Sequence, residues 1–340
     1  MRSLWLIILL SLTVGIALAG TDGGNRRPMH LLIIDSERGE PYKTIREQVL
    51  RSLESKGYKP GSGLTVKHYS IGNFQGTVRN IFKVESDQRY DVVILNGTLA
   101  VMGAKTVAMN DPRYRFVFGG VTDPVGIGVI DAFNAPPKAN FTGVAYPVRV
   151  EARLRFIMQS LPHAHRIGLI YADMPQSHSY NAWLDAALEQ EAFKHLQLIT
   201  RQVSFVPSEG GHIRMARLAR QHILELNDQV DVFISPNDQM GVQRPFVDMM
   251  ARYATKPLVG LGKREVTERW GATMSIFPSM ESTGRIVTEM VEKLYLGSDI
   301  QSLPPVYPDC GVAYDKEKVR RFKVQMPPSQ RDCYPVTIVE

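Results

Sequence analysis

Residues 116–147 read FVFGGVTDPVGIGVIDAFNAPPKANFTGVAYP. The apolar opening, Phe116 to Phe118, predicts a buried strand that breaks at Thr122-Asp123-Pro124. A polar pair followed by proline at a strand's exit is where α/β proteins place ligand-contacting groups. Gly126 and Gly128 let the backbone approach another group closely, or simply turn. After Pro136-Pro137 comes a second short apolar segment, Asn140 to Val144. One set of alternating strands and helices precedes this stretch and another follows it. It therefore marks the end of one lobe and the crossing to the next.

Working back from it, Met29 to Ile34 predicts the first strand. Pro41 opens a helix whose apolar residues Ile45, Val49 and Leu53 recur every four positions before Gly57. Leu64 to Tyr69 is a strand, a weaker helix runs to about Gln88, and Asp91 to Leu95 is a third strand ending at Asn96-Gly97-Thr98. Working forward, Val150, Leu154, Ile157 and Leu161 share a helix face. Strands are predicted at Arg166 to Tyr171, Leu196 to Phe205, Val230 to Ile234 and Pro257 to Leu261, with helices between them. Gly271 to Ile276 is expected to be a strand returning to the first lobe. Ser279 caps a helix with Ile286, Met290 and Leu294 on one face, and the proline-rich remainder from Leu303 is expected to loop over the surface.

Strand-helix alternation implies parallel sheets covered on both faces. The fold class is α/β: two doubly wound lobes joined by crossover strands. The expected division is 28–144 plus about 273–300 for one lobe, 145–272 for the other, and a tail over 301–340. Ligands in such sheets sit beyond the strands' carboxyl ends. That rule selects Ser36, Asn96, Gly97, Thr98, Thr122 and Asp123 in the first lobe, and Tyr171, Asp173, Asn237, Asp238, Lys263 and Arg264 in the second. Asp123 is read either as a ligand contact or as a cap for the next turn. Gly97 and Thr98 offer backbone N–H groups at a helix start, to an anion or merely as a cap. Tyr171 either stacks on a ligand ring or packs. Lys263-Arg264 is either an anion-binding pair or a solvated basic turn.

At 340 residues the chain is long enough for two domains, and its formal charge of +6 is spread without a basic stripe interleaved with aromatics, so no nucleic-acid partner is expected. Met1-Arg2, an apolar run from Leu4 to Ala17, and Ala17-Leu18-Ala19 form a secretory leader, residues 1–19, with cleavage before Gly20. Cys310 and Cys333 are an even pair, which in an exported protein reads as a disulfide worth roughly 3 kcal/mol. A two-cysteine metal site is poor without clustered histidines, and His163 and His165 read as solvated turn residues. No G-x-S-x-G elbow and no phosphate-binding G-x-x-x-x-G-K-S/T loop is present. The chain is expected not to be an enzyme and to use neither metal nor cofactor.

Four segments carry a family resemblance: Asp91 to Ala100, ending N-G-T-L-A; Phe116 to Gly128 with V-T-D-P-V; the crossover Asn140 to Val144; and the loop Ser235 to Asp238. Asp315 to Ser329 is similar to the same family's closing pattern. Together they resemble the ABC-transporter substrate-binding proteins of the tryptophan/tyrosine type, with a type I periplasmic-binding fold. The loop Asp35 to Glu40 departs from that pattern, and Lys263-Arg264 stand where an acidic or small polar loop is common. The resemblance implies a periplasmic, monomeric protein. It would close a hinge around a small solute, an amino acid or another polar or anionic molecule, and deliver it to an ABC permease in the inner membrane. The alternatives are a periplasmic sensor presenting a solute to a chemoreceptor or histidine kinase, and a secreted α/β enzyme using a carboxylate such as Asp123.

Overall fold

The computed structural model describes residues 27–326 and 336–339. The proposed leader and Cys333 lie outside them. In the first lobe β1 (Met29–Asp35), α1 (Tyr42–Ser55), β2 (Leu64–Ser70), α2 (Thr77–Val84), β3 (Val92–Asn96), α3 (Thr98–Ala108), β4 (Phe116–Val121) and β5 (Phe141–Ala145) follow in order. The five strands form one parallel sheet ordered β2-β1-β3-β4-β5. Every residue of β3, β4 and β5 is buried, as expected of strands covered on both faces. Alternate residues of β1 serve the two sides: Leu31 and Ile33 pack with Val49 and Leu53 of α1, while Leu32 and Ile34 pack with Val78 and Val101 of α2 and α3.

The second lobe contains α4 (Val150–Ser160), β6 (Arg166–Ala172), α5 (Pro175–Leu188), β7 (Gln197–Val203), α6 (Gly211–Leu226), β8 (Val232–Ile234), α7 (Arg244–Tyr253), β9 (Leu258–Gly260), α8 (Arg264–Thr267) and β10 (Met274–Pro278). Next come α9 (Met280–Tyr295), β11 (Cys310–Asp315), α10 (Lys316–Arg321) and β12 (Val336–Val339). The second sheet runs β12-β11-β10-β9-β8-β6-β7. The reversal of winding order beside the first strand of each sheet is the doubly wound arrangement.

Two expectations about the chain's last third are corrected. The strand at 274–278 does not return to the first sheet: Met274 and Ser275 pair in parallel with Val259 and Gly260 of β9. One short helix, α8, joins the two strands, the ordinary crossover between neighbouring parallel strands. It is α9 and the segment after it, to Val306, that rejoin the first lobe, and α9 packs against α1 so closely that a Cβ on Gly284 would stand 2.6 Å from Gln48. The tail does not merely loop over the surface. Residues 310–315 form β11, which runs antiparallel to β10 and covers its open edge, and β12 adds in parallel outside it.

Three segments therefore cross between the lobes. Residues 146–149 lead from β5 to α4, Ser279 joins β10 to α9, and residues 307–309 lead back to β11. The third crossing starts at Val306, whose N–H donates to Gly143 O at 3.0 Å and whose carbonyl accepts from Ala145 N at 2.9 Å. Among the described residues no helix is long and apolar enough to cross a membrane.

Candidate functional site

The carboxyl ends of β1, β3 and β4 meet at a tightly packed corner. Gly97, the residue before α3, has φ 93°. A Cβ there would stand 2.5 Å from Ser36 Oγ and 2.6 Å from the Tyr42 ring, so both backbone shape and space demand glycine. Ser36 Oγ accepts from Ala100 N at 3.1 Å, tying the β1 loop to the first turn of α3. Thr98 Oγ1 accepts from Thr122 N at 3.3 Å. Asn96 faces a different cluster: its Nδ2 donates to Asp35 Oδ1 at 2.8 Å, and Asp35 also pairs with Arg46 and, at 2.9 Å, with His68. Burial, with Arg46 and Arg38 adding repulsion, pushes His68 down to about 4, so it is neutral near pH 7.

Across the cleft, the loop after β8 is organised by Asp238. Its Oδ2 accepts from Ala172 N at 2.7 Å and Ser177 Oγ at 3.0 Å, and its Oδ1 accepts from Met240 N and Gly241 N, both at 2.9 Å. Four donors fill the four acceptor positions of a carboxylate. Burial still dominates and pushes Asp238 up to about 6.

The two corners face each other across a small, partly open cavity. Tyr42, Thr98, Gly120, Thr122 and the crossover residue Tyr146 line one side; Gln176, Asn237, Asp238, Gln239 and Val242 line the other. The buried Gln176 is unusual. Its Nε2 reaches only Met174 Sδ, at 3.5 Å, and its Oε1 has no partner. Burial, reinforced by Glu37, pushes the Tyr42 hydroxyl well above its usual range, so it stays protonated as a donor.

Hydrogen bonds and ion pairs draw the lobes together around this cavity. Asn237 Nδ2 donates to Thr122 Oγ1 at 3.1 Å, and Tyr42 Oη donates to Gln239 Oε1 at 3.2 Å. Glu37 accepts from Gln239 Nε2, from Gly210 N at 3.1 Å and from His212 Nδ1 at 3.0 Å. Arg264 pairs with Glu40 at 2.8 Å, and Ser70 Oγ donates to Glu209 at 2.5 Å.

The residues selected from sequence thus separate into groups. Thr98, Thr122, Asn237 and Asp238 line the cavity, and Ser36 and Gly97 support its wall. Asn96 is buried in the Asp35 cluster. Asp123 is outside the cavity lining, where its Oδ1 accepts from Gly126 N at 2.7 Å and closes a turn. Tyr171 donates to Gln202 at 3.1 Å and meets His178 edge-on, while Asp173 pairs with that histidine at 2.7 Å; neither lines the cavity. Lys263 and Arg264 line a neighbouring cavity that shares Pro41, Tyr146 and Val242 with the first. Arg264 is occupied by Glu40 and by Glu268 at 2.6 Å, so its charge is met within the protein.

Sequence reasoning missed Glu37, Tyr42, Tyr146, Gln176 and Gln239. Two of them had a visible signal: Gln239 directly follows Asn237-Asp238, and Tyr146 sits inside the crossover stretch. Tyr42 and Gln176 each follow a helix-opening proline and read as ordinary first-turn residues. Among the described residues no group of three or more metal-ligating side chains occurs.

The sequence model of the family described as ABC transporter substrate binding protein matches residues 38–311. A tyrosine-binding protein from Clostridioides difficile (strain R20291) is 21% identical over 256 residues, covering 75% of this chain and 69% of that protein. Among solved structures, a conserved domain protein from Vibrio cholerae matches with TM-score 0.75 at 17% identity, over 92% of this chain and 100% of that one. An ABC domain in complex with L-Trp from Streptococcus pneumonia matches with TM-score 0.72 at 16% identity, with the same coverage. At such identities the structural likeness speaks to the fold.

Proposed function

Since this chain belongs to the ABC transporter substrate-binding protein family, a family of binding proteins rather than enzymes, we propose that it captures a small solute between its lobes by hinge closure. In this reading the solute is then delivered to an ABC permease. The observation that carries the proposal is Gln176 Oε1, an unpartnered acceptor on the wall of a cavity to which both lobes contribute. Leaving such an acceptor unmet costs about 1–3 kcal/mol, which a donor on a bound solute removes. Thr98, Thr122, Asn237 and Tyr42 supply further hydrogen bonds, with Ser36 and Gly97 holding the wall. The crossovers at 146–149, 279 and 307–309 are the hinge, and a ligand touching both lobes stabilises the closed form.

The compartment follows from the same reading: export by the leader at 1–19, residence in the periplasm, and a disulfide between Cys310 and Cys333. An anionic solute has little support, because Arg264 is already paired. An amino acid remains the first class to test, given what the named relatives bind.

A thermal-shift screen of the mature chain from residue 20 against amino acids, sugars, nucleosides and organic anions tests the proposal. A solute at a hundred times its dissociation constant stabilises by about 2.7 kcal/mol, and Gln176→Ala is expected to reduce that shift. A broad panel that leaves the melting temperature unmoved would count against solute capture.

A further inference from the structure

A further hollow is built on the crossings themselves. Arg149 of the first crossing, Glu151 and Arg155 of α4, Trp183 and Gln190 of α5, and Tyr307 of the third crossing line a half-open groove of about 570 Å³. That size is ordinary for a small-molecule site. The groove shares no lining residue with the cavity between the lobes.

Its charges set it apart. Arg27, Arg113 and Arg264, which line other hollows, are each paired with a carboxylate. Arg149 and Arg155 are exposed and have no carboxylate partner among the described residues. Glu151 precedes Arg155 by four positions on α4, a spacing that commonly pairs, yet no ion pair joins them. The Arg149 guanidinium instead lies 5.1 Å from the centre of the Tyr307 ring, which in turn packs on Phe133 of the first lobe with ring centres 4.0 Å apart. The groove thus connects two helices of the second lobe, through two crossings, to an aromatic contact in the first. Planar guanidinium forks match oxyanions, and two of them with free donors around one groove suit more than one negative charge.

We infer that this groove binds a small divalent oxyanion between Arg149 and Arg155, and that the bound anion favours the closed arrangement of the lobes. The second half of this rests on the hinge reading above; the first does not. Two of the three crossings form the groove's wall, so opening at the hinge changes its shape. A ligand that selects the present shape shifts the equilibrium toward it, and by reciprocity a solute held between the lobes tightens the anion. Glu151 repels the anion and holds its affinity down.

The test is isothermal titration of the mature chain, without solute, with inorganic phosphate and with succinate, at an ionic strength fixed by sodium chloride. Saturable binding of at least one of the two is expected, and the one that binds tells a phosphate from a dicarboxylate. Arg155→Gln is expected to weaken it at least about tenfold, and Glu151→Gln to tighten it several-fold. Small-angle scattering of the same solute-free chain is expected to show a smaller radius of gyration as the site fills. No saturable binding, or an affinity indifferent to both substitutions, overturns the anion site. Binding that is lost in Gln176→Ala and kept in Arg155→Gln overturns it too, since the anion would then be a solute of the cavity between the lobes. An unchanged radius of gyration at saturation overturns the coupling to closure. Failure of the solute panel leaves the anion site standing, because this titration uses no solute.

Discussion

Glu265 has no exposure to solvent, yet it organises the loop after β9: its carboxylate accepts from Leu261 N at 2.9 Å, Gly262 N at 2.6 Å and Ser235 Oγ at 3.0 Å. Burial outweighs these bonds and the attraction of Arg153, and pushes Glu265 up to about 7. Asp238 is moved the same way, to about 6. Both groups hold a proton more tightly folded than unfolded. The stability this contributes is complete below their ordinary carboxylate range and is lost as pH rises through the folded values. The melting temperature contribution of these groups is therefore expected to fall between about pH 4 and pH 7. Glu265→Gln should flatten that slope above about pH 6, read by circular dichroism melts across the range; an unchanged slope would show that Glu265 is not its source. At this scale the sequence marked positions better than roles. Asp123 and Asp238 both follow a strand, and each could bind a ligand or hold its own loop. Only the donors around each carboxylate separate those uses.

At the scale of elements, α9 was legible in outline. Ser279 accepts from Ser282 N at 3.1 Å as its cap, Met290 and Leu294 are buried with Val287 and Val291, and Gly297 beyond its end has φ 97°. Ser279→Ala is expected to cost about 1 kcal/mol, seen as a lower urea midpoint with an unchanged slope. A loss within experimental error would mean that packing on α1 alone fixes the helix start. The strand just before it was legible as a strand and misplaced as a sheet member. An apolar run such as Met274 to Phe277 fits the centre of either sheet, because burial on both faces removes the alternation that would orient it. Its partner is set by the short connection from β9. The hydrogen bonds to β11 come from a segment whose prolines disguised the strand that follows them.

At the scale of the molecule, the lobes are held by a small number of polar contacts, and Glu37 receives three of them from the second lobe. Glu37→Ala leaves those donors without their shared acceptor and is expected to move the population toward a more open form. Small-angle X-ray scattering should then give a larger radius of gyration, and solute affinity should fall by about tenfold for each 1.4 kcal/mol of closure lost. An unchanged scattering profile would show that other contacts suffice. The two-lobed plan was legible because strand-helix alternation restarts after Val144. The contacts between lobes were not, since residues 37 and 212, or 40 and 264, are joined only once both sheets exist. The path of the chain has one more effect. The first sheet is finished at Ala145, but α9, which covers its α1 side, emerges only after most of the second sheet. During synthesis Leu31, Ile33 and Val92 must wait beside an incomplete wall until residues 280–295 arrive. The lobe that is begun first is thus sealed late, and a chain cut short anywhere before α9 leaves an apolar face open to aggregation.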